Sequence, residues 1–238
     1  MELQNQEVVI IGGSSGIGLA TASLALSYGA NVTIAARNFT KLEQSVEKLG
    51  GKVRSVVADI MDESQVEQIF QGLEKVDHLF VAAGSLSSGG LISGASIEKL
   101  KHPIAERIYG AVYAVRHAVP KMKSGSITLM SGLFSSRPMP GSATTAAAVA
   151  GIEAMARTLA LELSPIRVNA VCPGYINTPL LANAFGDNYQ QVIQSQAATL
   201  PAKRIGNAQE VSQAVVFMMT NGFITGEILH IDGGGRLV

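Results

Sequence analysis

Seven short apolar runs alternate along this chain with longer segments of helical period, and few folds satisfy that order. Residues 7–11, 31–36, 53–57, 78–82, 126–130, 167–171 and 227–231 read as strands. Residues 17–28, 39–49, 64–73, 104–122, 145–163 and 208–219 read as helices. In 145–163, Ile152, Met155, Leu159 and Leu163 recur at three- and four-residue steps and share one helix face. Strand–helix alternation builds a parallel sheet buried on both faces, with right-handed crossovers. The predicted fold is α/β: a doubly wound, parallel, seven-stranded sheet with helices on both faces, a three-layer α/β/α sandwich. Hydrophobic residues make up 47% of the 238, ample for a core of this kind, and no linker, repeat or low-complexity tract divides them. The reading is a single domain over residues 1–238.

Composition removes several function classes. Eighteen basic residues balance eighteen acidic ones without a Lys/Arg block, so neither nucleic acid nor a membrane surface is an expected partner. Uncharged stretches are broken by Pro, Gly, Asn and Thr, and none reads as a membrane span. The polar start of the chain does not resemble a secretory leader. One cysteine, Cys172, leaves no internal disulfide and suits a reducing cytoplasm. His78, His102, His117 and His230 show no ligand spacing, so no metal site is expected.

The first strand runs into Gly12-Gly13-Ser14-Ser15-Gly16-Ile17-Gly18 and directly on into a helix. Glycines let backbone approach a phosphate, and the helix N-terminus offers unpaired N–H groups and partial positive charge. In open α/β sheets ligands collect at the carboxyl ends of the strands, where this loop lies. A dinucleotide pyrophosphate is the expected occupant.

The Gly-x-x-x-Gly-Ile-Gly spacing resembles the short-chain dehydrogenase/reductase family, and the likeness continues in order to the C-terminus. Asp59, with Ile60, follows the third strand where the family contacts adenine. Ala82-Ala83-Gly84 resembles the end of its Asn-Asn-Ala-Gly segment. Pro173-Gly174 matches its Pro-Gly motif, and Ile176 and Thr178 stand as its nicotinamide-side contacts. Thr225-Gly226 and Ile231-Asp232-Gly233-Gly234 match its ending. The resemblance implies a Rossmann-type cofactor domain, a homotetramer and a small-molecule substrate. Its expected lid spans 180–200, and the Ser/Gly-rich stretch 85–96 reads as a loop bordering the pocket.

The end of the second strand selects the dinucleotide. A carboxylate there would accept hydrogen bonds from the adenosine ribose of NAD. The chain has Ala36 followed by Arg37. A guanidinium grips a phosphate bidentately, so Arg37 reads as a 2′-phosphate clamp and NADP(H) as the cofactor. Asn38 beside it reads as a helix cap.

The family's catalytic Asn, Ser, Tyr and Lys fall on Arg107, Gly132, Thr145 and Val149, so the sequence reads as a divergent member without the usual tetrad. Ile11 and Val81-Ala82 likewise stand where the family has Thr and Asn-Asn. Val149 cannot depress a pKa, and Thr145 is a poorer proton donor than a phenol. Arg107 is a permanent cation at a position next to a lost lysine charge, fit to stabilise an oxyanion or hold the nicotinamide ribose. Ser131, Thr145 and Tyr175 are the candidate proton donors. The expected activity is NADP(H)-dependent reduction of a small activated carbonyl, enone or imine. Two other readings stay open: a non-catalytic NADP(H)-binding sensor or scaffold, and a cofactor-assisted non-redox enzyme such as an isomerase or cyclase.

Overall fold

The computed structural model describes residues 2–85 and 89–238. Its strands and helices follow the order β1 (Glu7–Ile11), α1 (Gly16–Ser27), β2 (Asn31–Ala36), α2 (Phe39–Lys48), β3 (Val53–Val57), α3 (Glu63–Phe70) and β4 (His78–Val81). Then come α4 (Ile97–Ile104), α5 (Gly110–Ala118), β5 (Ser126–Met130), α6 (Ala143–Glu162), β6 (Arg167–Pro173), β7 (Ile176–Asn177), α7 (Pro179–Phe185), α8 (Tyr189–Thr199), β8 (Gly206–Asn207), α9 (Ala208–Thr220) and β9 (Ile228–Ile231). The main sheet has seven parallel strands in the order β3-β2-β1-β4-β5-β6-β9, as the alternation predicts. The order reverses between β1 and β4, and that reversal opens a crevice at the carboxyl ends of both strands.

Alternate side chains of each strand feed two cores. Val9, Ile11, Leu79, Val81, Ile127 and Leu129 pack beneath α3, α5 and α6 on one face. Val8, Ile10, Val32, Ile34 and Phe80 pack under α1, α2 and α9 on the other. The inner strands β1, β2 and β4 are therefore buried on both sides, the expected reading for a sheet covered by helices on each face, while edge strand β3 exposes Arg54 and Ser55.

Departures from the expected elements have local causes. The expected helix 104–122 begins earlier: Ser96 Oγ accepts from Lys99 N, and α4 runs through Pro103 to Ile104. Residues 105–109 then wind as a π-turn before α5. Within 180–200 the chain forms α7 and α8, which bury only Leu181 between them. Of the stretch 85–96, residues 86–88 lie outside the described residues. No helix among the described residues is long and apolar enough to cross a membrane.

At the amino ends of the strands, His78 is buried at 4% exposure, with Nδ1 2.8 Å from Ser126 Oγ and Nε2 2.6 Å from Gln6 Oε1. Burial, reinforced by the Arg167 charge and opposed by Asp77, pushes its pKa from 6.5 down to about 4. The unfolded chain thus takes up a proton near pH 6.5 while the folded chain does not until about pH 4. Stability is complete above pH 6.5 and falls through that window as pH drops, by up to about 1.4 kcal/mol per pH unit. His78→Gln should remove about 2 kcal/mol of the stability difference between pH 7 and pH 5, measured by urea unfolding at both. An unchanged difference would show that another group sets this slope.

Candidate functional site

The crevice is closed on its floor by backbone. Gly12 has φ +94°, and a Cβ there would lie 2.7 Å from Ala83 N. A Cβ on Gly18 would lie 2.2 Å from the Gly12 carbonyl oxygen. No side chain fits between β1, α1 and β4, so α1 begins directly against both strand ends. Gly12 N–H and Gly13 N–H both donate to Ala35 O, which joins the loop to β2. Ser15 is the extended N-cap of α1, yet its hydroxyl makes no capping bond, and Ser14 uses its carbonyl to accept from Ser45 Oγ at 2.8 Å. Among the described residues, the first N–H groups of α1, from Gly16, Ile17 and Gly18, have no side-chain partner. These donors and bare backbone fit a dinucleotide pyrophosphate.

Other expected contacts gather around this point. A Cβ on Gly16 would meet Thr178 Cγ2 at 3.3 Å, so the chain leaving β6 arches back over the helix N-terminus. Gly174 allows that turn, since a Cβ there would sit 2.8 Å from Asp232 Cα. Pro173 ends β6 beside Ile231, and Ile176 pairs with Gly206 in the small β7–β8 ladder. Thr178 also caps α7 through a long 3.5 Å bond from Leu181 N. At the adenosine side, Arg37 is exposed at the end of β2 and takes part in no ion pair among the described residues. Asn38 accepts from Lys41 N at 2.9 Å and is the expected cap. Asp59 uses Oδ1 on Met61 N, and Ile60 is buried against Gly110. Ala82 N–H donates to Ile11 O, keeping the exit of β4 tight on β1.

The positions expected to carry chemistry divide. Thr145 and Val149 are buried at 2% and 1% exposure. Gly132 faces Val149, whose Cγ1 would be 3.6 Å from a Cβ at that position. Ser131, expected as a proton donor, instead turns into α6: its hydroxyl donates to Glu153 Oε1 at 2.8 Å and lies 3.2 Å from Val149 O. Tyr175 is half-buried beside the Pro-Gly turn, and its phenol makes no hydrogen bond among the described residues. Arg107 packs its guanidinium against Gly84, where a Cβ would be 2.7 Å from Nη1, and donates Nη2 to Ser85 O at 2.7 Å. Its Nε is shut off from solvent with no partner among the described residues. Burial lowers its pKa while the Glu106 charge opposes that. Cys172 is inert: burial pushes the thiol up to about 11.

Sequence reasoning placed Ser85 only in a loop bordering the pocket, offered Glu106 only as an ion-pair partner of Arg107, and gave Glu153 no role. In the structure Glu106 and Arg107 meet at Ser85 instead, a partner distant in the chain that no motif announces.

Residues 12–235 match the sequence profile of the family described as enoyl-(acyl carrier protein) reductase. A short-chain dehydrogenase/reductase from Stachybotrys chlorohalonatus is 32% identical, over 99% of this chain and 98% of its own. The chain belongs to the short-chain dehydrogenase/reductase family. Among solved structures, the MalC reductase/Diels-Alderase from Malbranchea aurantiaca superposes with a TM-score of 0.94 at 28% identity, covering 99% of this chain and 98% of that one. A small-chain dehydrogenase in complex with NADPH gives 0.86 at 31% identity, covering 99% and 100%. The chain is an oxidoreductase of this family, and the reading as a non-catalytic sensor gives way to that.

Proposed function

We propose that this short-chain dehydrogenase/reductase is an NADPH-dependent reductase of small activated carbonyls, enones or imines, working without the family's usual proton relay. The observation that carries the reading is Arg107: a half-buried cation against Gly84 whose enclosed Nε has no partner among the described residues, where Thr145 and Val149 offer neither a phenol nor an ammonium. The cofactor is NADP(H), supported by the phosphate-ready N-terminus of α1, by Arg37, and by the related dehydrogenase that holds NADPH. NADPH supplies a hydride when bound. Gly12, Gly16 and Gly18 admit its phosphates, residues 82–84 line one wall, and Ile176 and Thr178 close the other. Arg107 stabilises negative charge on the acceptor oxygen, and Tyr175 or Thr145 delivers the proton. General acid–base chemistry contributes about 10²–10⁴-fold, while positioning can supply effective molarities on the order of 10⁵ M. An activated acceptor therefore reacts here and an unactivated ketone does not.

Residues 180–200 act as the substrate lid, since α7 and α8 bury too little to be held firmly. The assembly is a homotetramer in the cytoplasm. The small residues of α6, with the exposed Tyr109 at the end of the π-turn and Val112 of α5, favour close helix contacts between copies. A second reading, a cofactor-assisted cyclisation, is favoured by the reductase/Diels-Alderase whose backbone this chain shares.

A screen of NADPH oxidation against aldehydes, ketones, enones and cyclic imines tests the main reading. Turnover of enones or imines with simple ketones inert is expected, and equal rates on ketones would overturn it. Arg37→Ala should cost about 1.5–3 kcal/mol of NADPH affinity and barely alter NADH. Equal losses in titrations would remove Arg37 from the phosphate site. Arg107→Ala should lower kcat by about 10²–10³-fold, and wild-type turnover would make Arg107 a packing residue. Light scattering at micromolar concentration should give four copies, and a monomer would overturn the tetramer.

A further inference from the structure

Pro103 interrupts the helix that begins at Ile97. Proline brings no N–H, so the ladder loses a rung, and after Ile104 the five residues Ala105–Tyr109 wind as a π-turn. Such turns occur mostly as single bulges, frequently at functional sites. Here two consecutive residues of the turn reach the same partner. Glu106, buried at 4% exposure, accepts on Oε2 from both the Ser85 N–H and the Ser85 hydroxyl, each at 2.7 Å. Arg107 donates to the Ser85 carbonyl, also at 2.7 Å.

Ser85 is thus gripped at its amide, its hydroxyl and its carbonyl by one carboxylate and one guanidinium. Glu106 and Arg107 form no direct ion pair among the described residues, and Ser85 stands between their charges. Each charge needs the other. An isolated buried cation or carboxylate costs several kcal/mol, and the cost falls when opposite charges share the site and their hydrogen bonds are made. The arrangement fixes residues 82–85, the exit of β4, whose backbone already touches Gly12.

We propose that Glu106 is a positioning residue for the nicotinamide end of the cofactor. Its carboxylate holds Ser85, and through Ser85 it sets both the 82–85 wall and the free Nε edge of Arg107. The proposal rests on the reading of the crevice as an NADPH site. It separates the two ends of that site, because Arg37 follows directly on β2, and β1 stands between β2 and β4. Loss of the Glu106 charge loosens the nicotinamide end alone.

The test compares NADPH with adenosine 2′,5′-bisphosphate, a fragment that carries the adenine and 2′-phosphate but no nicotinamide. Both are titrated calorimetrically against wild type, Glu106→Gln and Glu106→Asp, with NADPH emission and melting temperature recorded beside them. Glu106→Gln keeps the shape and an acceptor but removes the charge. It should weaken NADPH about tenfold, shift the emission of the bound nicotinamide, and leave the fragment within about twofold. Glu106→Asp, which keeps the charge, should recover part of the loss. Equal weakening of both ligands would reveal a general structural role, and unchanged NADPH binding would show no role; either overturns the proposal. If Glu106→Gln does not fold, Glu106→Asp carries the same split between ligands. Wild-type protein that binds neither ligand would overturn the cofactor reading, and this proposal with it. Normal wild-type binding with unaffected variants overturns this proposal alone.

Discussion

Backbone meets backbone where β1, α1 and β4 converge, and the rest of the crevice is arranged around that contact. The space between the Gly12 carbonyl and the first turn of α1 admits a hydrogen and no carbon, as the 2.2 Å approach of a Gly18 Cβ shows. Gly12 meets Ala83 with the same economy from the other side. Because interiors are close-packed, such a contact locks three elements at once. The unpaired amides of α1 are thereby aimed at the carboxyl ends of the strands, and Thr178 is brought in from β7 to face them. A charged ligand site results from a steric constraint on the main chain, with no charged side chain at its centre.

Much of this was readable in the residues, for reasons that differ by element. β1, β2, β3 and β5 match their expected bounds because short apolar runs between turn residues have few alternatives. Asn38 was readable as a cap because its side chain acts on its own local backbone. α4 was not, because it carries Pro103 inside, and proline is a poor residue for a helix interior. β7 and β8 hold two residues each, too few for any period. At the site, residue type located Arg107 but could not reveal what it touches. Ser85 lies 22 residues before it and Glu153 lies 22 after Ser131, so those bonds exist only once the sheet has formed.

The seat of α6 shows how fold and chemistry part company. Ser131 hands its hydroxyl to Glu153 and approaches the Val149 carbonyl, which ties the end of β5 to the second turn of the helix. The helix is held firmly here by Ser131, while Gly132, Thr145 and Val149 beside it carry neither a phenol nor an ammonium. Architecture can be conserved by one set of bonds while chemistry is assigned to another set, which is why fold alone does not decide the reaction.

At the sheet's far edge, Arg54 of β3 reaches over to close α3, donating to the carbonyls of Ile69 and Gln71 at 2.6 and 2.9 Å. β3 has a neighbour on one side only, and an unpaired strand edge is a template on which other chains can add. Charged side chains on an edge strand are one of the features that discourage such addition. The residue that finishes α3 therefore also puts a charge on the strand where the sheet ends.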